Sequence, residues 1–238
     1  MIKIGCCGFQ KSRKEYFKNF KLVEIQETFY NIVPDERLKM LRMEAPHDFE
    51  FTVKCFQGVS HPPSSPTWKR SNVKPSNEHG SLKPTKAVFE SWEKTLNACK
   101  ILKAKICLIQ LPSSFRDTEE NINNAKKFFY EIVRDEIKIA VELRGWKEEY
   151  IKALCEEFDL IHCTDLFASE PRYLSSSNIL YTRLHGSPPG KKMYSYKYSI
   201  DDLKVLKTKI TDINASEKYI LFNNIFMYED ALSFSKLL

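Results

Sequence analysis

Short apolar segments alternate with longer amphipathic segments along almost the whole chain. The apolar segments are four to six residues long, and runs of that length are typical of buried β-strands. Strands that alternate with helices form parallel sheets, so the pattern predicts an α/β fold. Eight strands are predicted, at Lys3–Cys6, Leu22–Ile25, Phe49–Lys54, Ile106–Leu111, Ile139–Leu143, Leu160–Thr164, Ile179–Leu184 and Tyr219–Phe222.

Apolar residues recur at helical spacing in several of the intervening stretches. Pro34 suits the first position of one helix, and Ser199 suits the N-cap of another. A helix that begins at Thr118 has a predicted apolar face of Ile122, Ala125, Phe129, Ile132 and Val133. Helices are predicted within Pro34–Ala45, Thr118–Glu136, Trp146–Phe158, Ser199–Ile210 and Glu229–Leu238.

The size of the repeating unit decides between two α/β architectures. Eight strand–helix units in 238 residues average about 30 residues each, as in a compact (β/α)8 barrel. A doubly wound sheet would carry a Gly-rich phosphate loop after its first strand, and Gly5 and Gly8 lack the G-x-G-x-x-G spacing. We therefore predict one domain over residues 1–238, a single (β/α)8 TIM-type barrel.

One connection is much longer than the others. Val59–Lys83 follows the third strand and contains four prolines and little periodicity. Loops of this length in compact domains are usually functional lids or disordered segments. Its position places it on the C-terminal face of the predicted barrel.

Composition narrows the classes of function. Lys and Arg exceed Asp and Glu by 37 − 31 = 6, a charge that suits an anionic ligand but is too small for a dedicated nucleic-acid binder. No apolar run is long enough to span a membrane or to serve as a signal peptide. Seven cysteines without a C-x-x-C pair favour a reduced, cytoplasmic protein.

The strand at Ile179–Leu184 shows where the polar residues lie. Because side chains alternate across a strand, Tyr181, Arg183 and the following His185 share one face, just before a Pro/Gly-rich turn at 187–190. Other strands also become polar at the carboxyl end of one face. In a closed barrel these ends converge at the C-terminal mouth, where active sites of this fold are built. The converging residues are Glu24, Gln26, Lys54, Gln110, Glu142, Arg144, Arg183, His185 and Asn223.

The cations of this predicted ring suit a phosphate or carboxylate ligand. A strand lysine such as Lys54 can instead form a Schiff base if its pKa is depressed. Amide side chains would add neutral hydrogen-bond donors around the ligand. The predicted ligand contacts are Lys54, Gln110, Arg144, Arg183, Asn223 and Asn224.

The predicted catalytic residues are Glu24, Glu142 and His185. The carboxylates suit general acid–base work, or alternatively an ion-pair lattice with the cations. His185 suits proton transfer near neutral pH, or a structural role held by a carbonyl and a carboxylate. No metal site is predicted, because H-x-H and H-E-x-x-H spacings are absent and nearby cations repel a divalent ion. The cofactor is left unassigned; a metal is the alternative, with Glu24, His61, Glu142, Asp165 and His185 as its available ligands.

Six strand-end motifs resemble, in family order, the signatures of the YecE-like family, a family of unknown function with a (β/α)8 barrel. They are VEIQETFY (Val23–Tyr30), FEFTVKC…SH (Phe49–His61), QLPSSF (Gln110–Phe115), VELRGW (Val141–Trp146), YTRLHG (Tyr181–Gly186) and LFNN (Leu221–Asn224). The resemblance implies a polar cavity at the top of the barrel and adds Tyr30 and His61 to the ligand contacts. Its signature positions are Glu24, Thr28, Phe29, Tyr30, Lys54, His61, Gln110, Glu142, Arg144, Trp146, Arg183, His185, Gly186 and Asn223.

The chain departs from the family pattern in two places. The family has RHxSW where this chain has only RGW at Arg144–Trp146, and the Gly that usually follows FNN is absent, with Met227 nearby. The resemblance brings no established reaction. Similarity of the fold to metal-dependent endonuclease and sugar-isomerase barrels suggests nucleic-acid processing only by analogy.

Two functional hypotheses follow. The first is binding of a small anionic or phosphorylated ligand at the mouth, with phosphoester hydrolysis or sugar-phosphate isomerisation. The alternative is a non-catalytic or nuclease-like nucleic-acid-binding protein that uses the basic Val59–Lys83 loop. The partner is accordingly a small anion or a nucleic acid, and no membrane is expected. The loop residues that would contact nucleic acid are Trp68, Lys69, Arg70 and Lys74.

Overall fold

The computed structural model describes residues 1–186 and 193–238. The strands in these ranges are β1 Ile2–Cys7, β2 Leu22–Ile25, β3 Glu50–Lys54, β4 Ile106–Gln110, β5 Lys138–Glu142, β6 Ile161–His162, β7 Ile179–Leu184 and β8 Glu217–Phe222. They form one eight-stranded sheet in the order β6-β5-β4-β3-β2-β1-β8-β7, with parallel pairing throughout. All of the predicted strands are confirmed.

The sheet closes into a barrel where β6 meets β7. Thr164, just beyond β6, forms a parallel bridge with Thr182. The Thr164 carbonyl accepts hydrogen bonds from the Arg183 backbone N–H (3.1 Å) and from the Thr182 hydroxyl (2.8 Å). The prediction of a (β/α)8 TIM-type barrel is confirmed.

Helices cover the outside of the barrel. Those described are α1 Arg13–Asn19, α2 Glu27–Tyr30, α3 Asp35–Glu44, α4 Gln57–Ser60, α5 Lys86–Leu102, α6 Glu119–Glu131, α7 Glu148–Phe158, α8 Ile200–Asp212 and α9 Met227–Ser235. Ser199 caps α8 as predicted and forms a capping box with Asp202. Thr118 caps α6 through a hydrogen bond from the Asn121 backbone N–H.

Three details differ from the predictions. Val133 is 65% exposed, because α6 ends at Glu131, before Val133 can join its apolar face. Pro34 is the N-cap of α3 rather than its first helical residue. The sixth connection, 163–178, is fully described and contains no helix. It is held to the end of α7 by Asp159, which accepts hydrogen bonds from both the backbone N–H and the hydroxyl of Ser176.

Two apolar layers flank the strands. The outer layer packs strand residues such as Val23, Val53 and Val141 against the helices. The inner layer fills the lumen below the mouth. Its members are Cys7, Leu22, Ile106, Leu108, Ala140, Ile161, Cys163, Ile179, Tyr181, Tyr219 and Leu221.

The long connection after β3 is ordered and folds back on itself. Its first residues belong to α4, and a 3-10 helix occupies Pro66–Arg70. Its two ends are joined by backbone hydrogen bonds from Gly80 to Gly58 (2.8 Å) and from Leu82 to Val59 (3.0 Å). Gly80 has a φ of +84°, and a Cβ there would lie 2.3 Å from the His61 carbonyl oxygen. Only glycine permits this close approach.

Three further expectations concern the membrane, the cysteines and the Pro/Gly-rich turn. No described helix is long and apolar enough to cross a membrane. All seven cysteines lie in the described residues and are buried and free. Cys6 packs in the outer layer and Cys7 in the lumen. The turn predicted at 187–190 lies outside the described residues.

Candidate functional site

A fully buried arginine lies at the centre of the barrel mouth. Arg183, on β7, donates from Nε to Glu24 Oε1 (3.1 Å) on β2 and from one terminal nitrogen to Glu142 Oε2 (2.7 Å) on β5. The same nitrogen donates to Gln110 Oε1 (2.8 Å) on β4. Four strand ends therefore converge on one guanidinium, as the alternation of side chains predicts.

Glu24 is a fully buried carboxylate whose oxygens are all engaged. The Tyr181 hydroxyl donates to its Oε2 (2.7 Å), and the Gln26 amide donates to its Oε1. The Tyr181 hydroxyl also contacts the Thr52 hydroxyl (2.8 Å). Buried ionised groups are tolerated when their lone pairs are satisfied in this way.

Glu142 is held between two arginines. Its Oε1 accepts from Arg144 Nε (2.6 Å), while its Oε2 is bound by Arg183. Burial alone raises the pKa of Glu142, but the positive charge of Arg183, together with that of Arg144, outweighs burial and holds that pKa well below its usual range. Glu142 therefore stays ionised at neutral pH and serves as an anchor for cations.

His185 lies between an arginine and a carboxylate. Arg144 lies 2.9 Å from His185 Nε2, and since a guanidinium can only donate, Nε2 must accept in this arrangement. The other ring nitrogen, Nδ1, lies 3.5 Å from Asp165 Oδ2, which also accepts from the His185 backbone N–H (2.8 Å). The Tyr194 ring packs edge-on against the imidazole at 5.4 Å. These contacts fix the orientation of the ring.

Lys54, at the carboxyl end of β3, is buried without a polar partner. It is 7% exposed, and its Nζ lies 4.0 Å from the centre of the Phe29 ring. No residue within 1–186 or 193–238 forms a hydrogen bond or ion pair with its Nζ. Burial, followed by the charge of Arg183, lowers its pKa to about 8 despite the opposing charges of Glu24 and Glu142.

His61 lies beside Lys54 at the start of the long connection. Its Nδ1 contacts the Ser60 hydroxyl (2.8 Å), and its ring packs edge-on against Phe29 at 4.9 Å. Burial and the positive charges of Lys54 and Arg144 lower its pKa to about 3. His61 is therefore neutral at pH 7.

A cavity of about 320 Å³ opens beside the charged cluster. It lies between the carboxyl ends of β5, β6 and β7, and its wall includes Glu142, Arg144, Asp165 and His185. Cavities that hold small ligands begin at about 300 Å³. A small polar molecule would fit beside Arg144, whose side chain keeps 32% of its surface exposed.

The model of a protein family of unknown function, DUF72, matches residues 7–238. The chain belongs to the DUF72 family. The YecE-like resemblance is confirmed, since the YecE-like proteins are this same family. Membership carries no established reaction.

Three similar proteins agree with this assignment. The UPF0759 protein YunF of Bacillus subtilis strain 168 is 24% identical, over 94% of this chain and 89% of that protein. A crystal structure of a DUF72 family protein from Enterococcus faecalis V583 has a TM-score of 0.75 and 22% identity, covering 100% of this chain and 95% of the other. One from Thermotoga maritima MSB8 has a TM-score of 0.67 and 20% identity, covering 100% and 98%. At these identities, the structures show a common fold.

Several DUF72 signature residues build the mouth without facing a ligand. The Thr28 hydroxyl donates to the Lys54 carbonyl (2.8 Å) and so ties α2 to the end of β3. The Trp146 indole donates to the Phe115 carbonyl (2.9 Å). Gly186 has a φ of +113°, and its N–H donates to the Tyr198 hydroxyl (2.8 Å).

The shortened RGW sequence forms a tight turn. Gly145 has a φ of +91°, and a Cβ there would lie 2.4 Å from a terminal nitrogen of Arg116. This turn leads from Arg144, which contacts Glu142 and His185, to Trp146 in the outer core. The shorter sequence thus still places an arginine at the mouth and a tryptophan in the outer core.

The asparagines after β8 are placed differently from one another. Asn223 is half-buried, and its side chain forms no hydrogen bond with any other described member of the cluster. The Asn224 amide donates to the Asp230 carboxylate (2.6 Å) and to the Tyr196 carbonyl (2.7 Å). Asn224 therefore holds α9 to the segment before α8, and the structure does not bring it to the charged cluster.

Two of the loop residues proposed for nucleic-acid contact, Trp68 and Arg70, already make other contacts within the protein. Trp68 is buried, donates to the Pro62 carbonyl (3.0 Å) and packs edge-on against Phe56. The Arg70 guanidinium lies 3.8 Å from the centre of the Tyr30 ring. Stacking on bases requires a free aromatic face, so Trp68 is unsuited to that role. Tyr30 contacts the loop and not the charged cluster.

Three further residues contribute to the site: Phe29 is a family signature position, whereas Tyr194 and Asp165 lie outside the six motifs. Phe29 supplies the apolar surface beneath Lys54, and Tyr194 reaches Arg144 and His185 from a long connection. Asp165 orients His185 by accepting a hydrogen bond from its backbone N–H. Within the described residues, no group of three or more His, Cys, Asp or Glu side chains is arranged to hold a metal ion.

Proposed function

We propose that the barrel mouth binds a small anionic ligand, phosphorylated or carboxylated, and transfers a proton on it. The observation that supports this most strongly is Lys54, a buried cation without a described carboxylate partner. Arg144, whose side chain is partly exposed and lines the 320 Å³ cavity, is the second cation. An anion that contacts both would relieve the unpaired charge of Lys54.

In this proposal, Arg183 has a positioning role. Its Nε and one terminal nitrogen donate to Glu24, Glu142 and Gln110, and its other terminal nitrogen lies 3.0 Å from Glu24 Oε1. Arg183 thus holds the two carboxylates and leaves the ligand to Lys54 and Arg144. Those locked carboxylates suit electrostatic support of the site better than proton transfer. Lys54, with a pKa near 8, and His185 are the proton-transfer groups.

Between the two reactions considered, isomerisation by proton transfer fits this assignment better. It requires a base poised near neutral pH, and Lys54 supplies one. Phosphoester hydrolysis additionally requires an activated water molecule, and the ionised carboxylates that would activate it are bound to arginines.

Calorimetric titration with glycerol 3-phosphate tests the binding. We expect Arg144→Gln to weaken binding about tenfold, the effect of losing one charged hydrogen bond. Lys127→Gln, which removes an exposed charge on α6, is the matched control and should change affinity less than about twofold. No measurable binding to the wild-type chain, or an equal effect of both variants, contradicts the proposal.

A titration with single-stranded DNA at increasing salt separates the nucleic-acid alternative. Many phosphate contacts give a steep loss of affinity with salt, whereas a pocket for one small anion responds weakly. A steep salt dependence that Lys69→Gln and Lys74→Gln abolish would favour the alternative.

A further inference from the structure

Lys54 is distinguished from other lysines of the chain by its surroundings. It lies on a strand end at the mouth, on a buried aromatic ring, with no described acceptor for its protons. Lys3, at the opposite end of the lumen, forms ion pairs with Glu50 and Glu217. An amine used only for structure is paired like Lys3, whereas an amine that reacts must keep its lone pair accessible.

We propose that the Lys54 amine forms an imine with the carbonyl carbon of a short aldehyde or ketone that also bears a phosphate or carboxylate group. The anionic part of this substrate rests on the proposed function, with Arg144 as its contact. The carbonyl part rests on Lys54 alone.

The step requires no further reactant. The neutral Nζ adds its lone pair to the carbonyl carbon, and the C=O π electrons move to oxygen to give a carbinolamine. Loss of one water molecule then leaves a C=N bond to Nζ. Protons exchange through solvent, and no oxidation or reduction occurs. Protonation of the imine nitrogen gives an iminium, which draws electrons from the neighbouring carbon. Because Nζ is then no longer a base, His185 carries the proton transfer proposed above.

The groups around Lys54 supply the neutral amine that the step needs. Burial and Arg183 oppose its protonation, while Glu24, Glu142 and Cys7 favour it, and the net pKa is about 8. About one Lys54 in ten is then neutral at pH 7, against fewer than about one in a thousand for an exposed lysine. Phe29, whose ring centre lies 4.0 Å from Nζ, offers the amine no carboxylate to stabilise its charged form.

Reductive trapping tests the proposal in the intact wild-type chain. The protein is incubated at pH 8 with dihydroxyacetone phosphate and sodium cyanoborohydride, then digested, and the modified lysines are quantified by mass spectrometry. Lys54 should gain the mass of the probe less one oxygen atom, at least about tenfold faster than exposed lysines such as Lys127. Labelling of Lys54 no faster than Lys127 overturns the proposal.

Two further probes separate this inference from the proposed function. Dihydroxyacetone, which has the carbonyl but no phosphate, should also label Lys54, and glycerol 3-phosphate, which has the phosphate but no carbonyl, should protect it. Labelling without protection or binding supports the imine and contradicts anion binding. Binding of glycerol 3-phosphate without labelling contradicts the imine and retains anion binding. Lys54→Arg, checked for folding by circular dichroism, should lose the adduct.

Discussion

Each end of the barrel lumen contains a lysine on a strand, and the two lysines differ in whether carboxylates pair with them. At the amino end, Lys3 on β1 lies 2.6 Å from Glu50 and also pairs with Glu217. The Tyr219 hydroxyl completes this network by donating to Glu50 (2.9 Å). At the carboxyl end, Lys54 has an aromatic ring and neighbouring cations, and no described carboxylate partner.

The pKa values of these lysines diverge accordingly. Burial lowers the pKa of Lys3, but its hydrogen bonds to Glu217, Glu50 and Tyr219 outweigh burial and raise the pKa above its ordinary value. The pKa of Lys54 falls to about 8. The amino end of a barrel usually serves stability and the carboxyl end serves function, and the difference between these lysines is the difference expected from that division.

The largest expected effect concerns the carboxyl end. Arg183→Met leaves Glu24 and Glu142 buried without their common cation and should lower the free energy of unfolding by about 3–5 kcal/mol. Urea denaturation measures this change. Adding Glu24→Gln and Glu142→Gln removes the uncompensated charges, so the triple variant should regain part of the loss. A loss below about 1 kcal/mol for Arg183→Met would show that the cluster is not a buried network.

At the amino end, removal of the paired lysine should also destabilise. Lys3→Met leaves Glu50 and Glu217 without their cation in a partly buried network, and we expect a loss of about 2 kcal/mol. Lys105 lies 3.6 Å from the same Glu50 but is 61% exposed, so Lys105→Met is the matched control and should cost less than about 0.5 kcal/mol. Equal losses of stability for Lys3→Met and Lys105→Met would contradict the expectation that burial strengthens the ion pairs of Lys3.

Removal of Lys54, the unpaired lysine, should raise the free energy of unfolding, whereas removal of Lys3 should lower it. Because its pKa is lowered, the folded state holds the Lys54 proton less tightly than the unfolded state does. The resulting loss of stability is complete below pH 8 and disappears as the pH rises towards 10.5. Lys54→Met should therefore stabilise the fold by about 1–2 kcal/mol at pH 7 while abolishing ligand binding. Thermal unfolding at pH 7 measures the change. A destabilised variant would show that Lys54, like Lys3, stabilises the fold.

The smallest effect is the acid sensitivity of the carboxyl end. The folded-state pKa of His61 is about 3, below its ordinary 6.5, so the unfolded chain takes up a proton that the folded chain excludes. Stability is then lost as the pH falls from about 6.5 towards 3, by about 1 kcal/mol between pH 6 and pH 5. His61→Asn should remove this part of the pH dependence of the free energy of unfolding, measured by urea denaturation at pH 6 and at pH 5. An unchanged pH dependence in this variant would mean that His61 is protonated in the folded protein.

The sequence by itself determined the barrel and the ring of polar strand ends. Both follow from local periodicity: strands alternate with helices, and residues two apart on a strand share a face. Arg183 and His185 were therefore placed at the mouth correctly, and Ser199 was recognised as a cap because capping depends on a few neighbouring residues.

Only the tertiary structure decided what each polar residue does there. Glu24 and Arg183 are 159 positions apart, and their pairing depends on closure of the barrel across the lumen. Trp68 was predicted to contact nucleic acid, but its hydrogen bond to Pro62 and its packing against Phe56 bury the indole within the same loop region. Lys3 and Lys54 look alike in sequence, each a lysine on an apolar strand. One meets carboxylates and the other an aromatic ring, because ion pairing depends on which strands become neighbours in space.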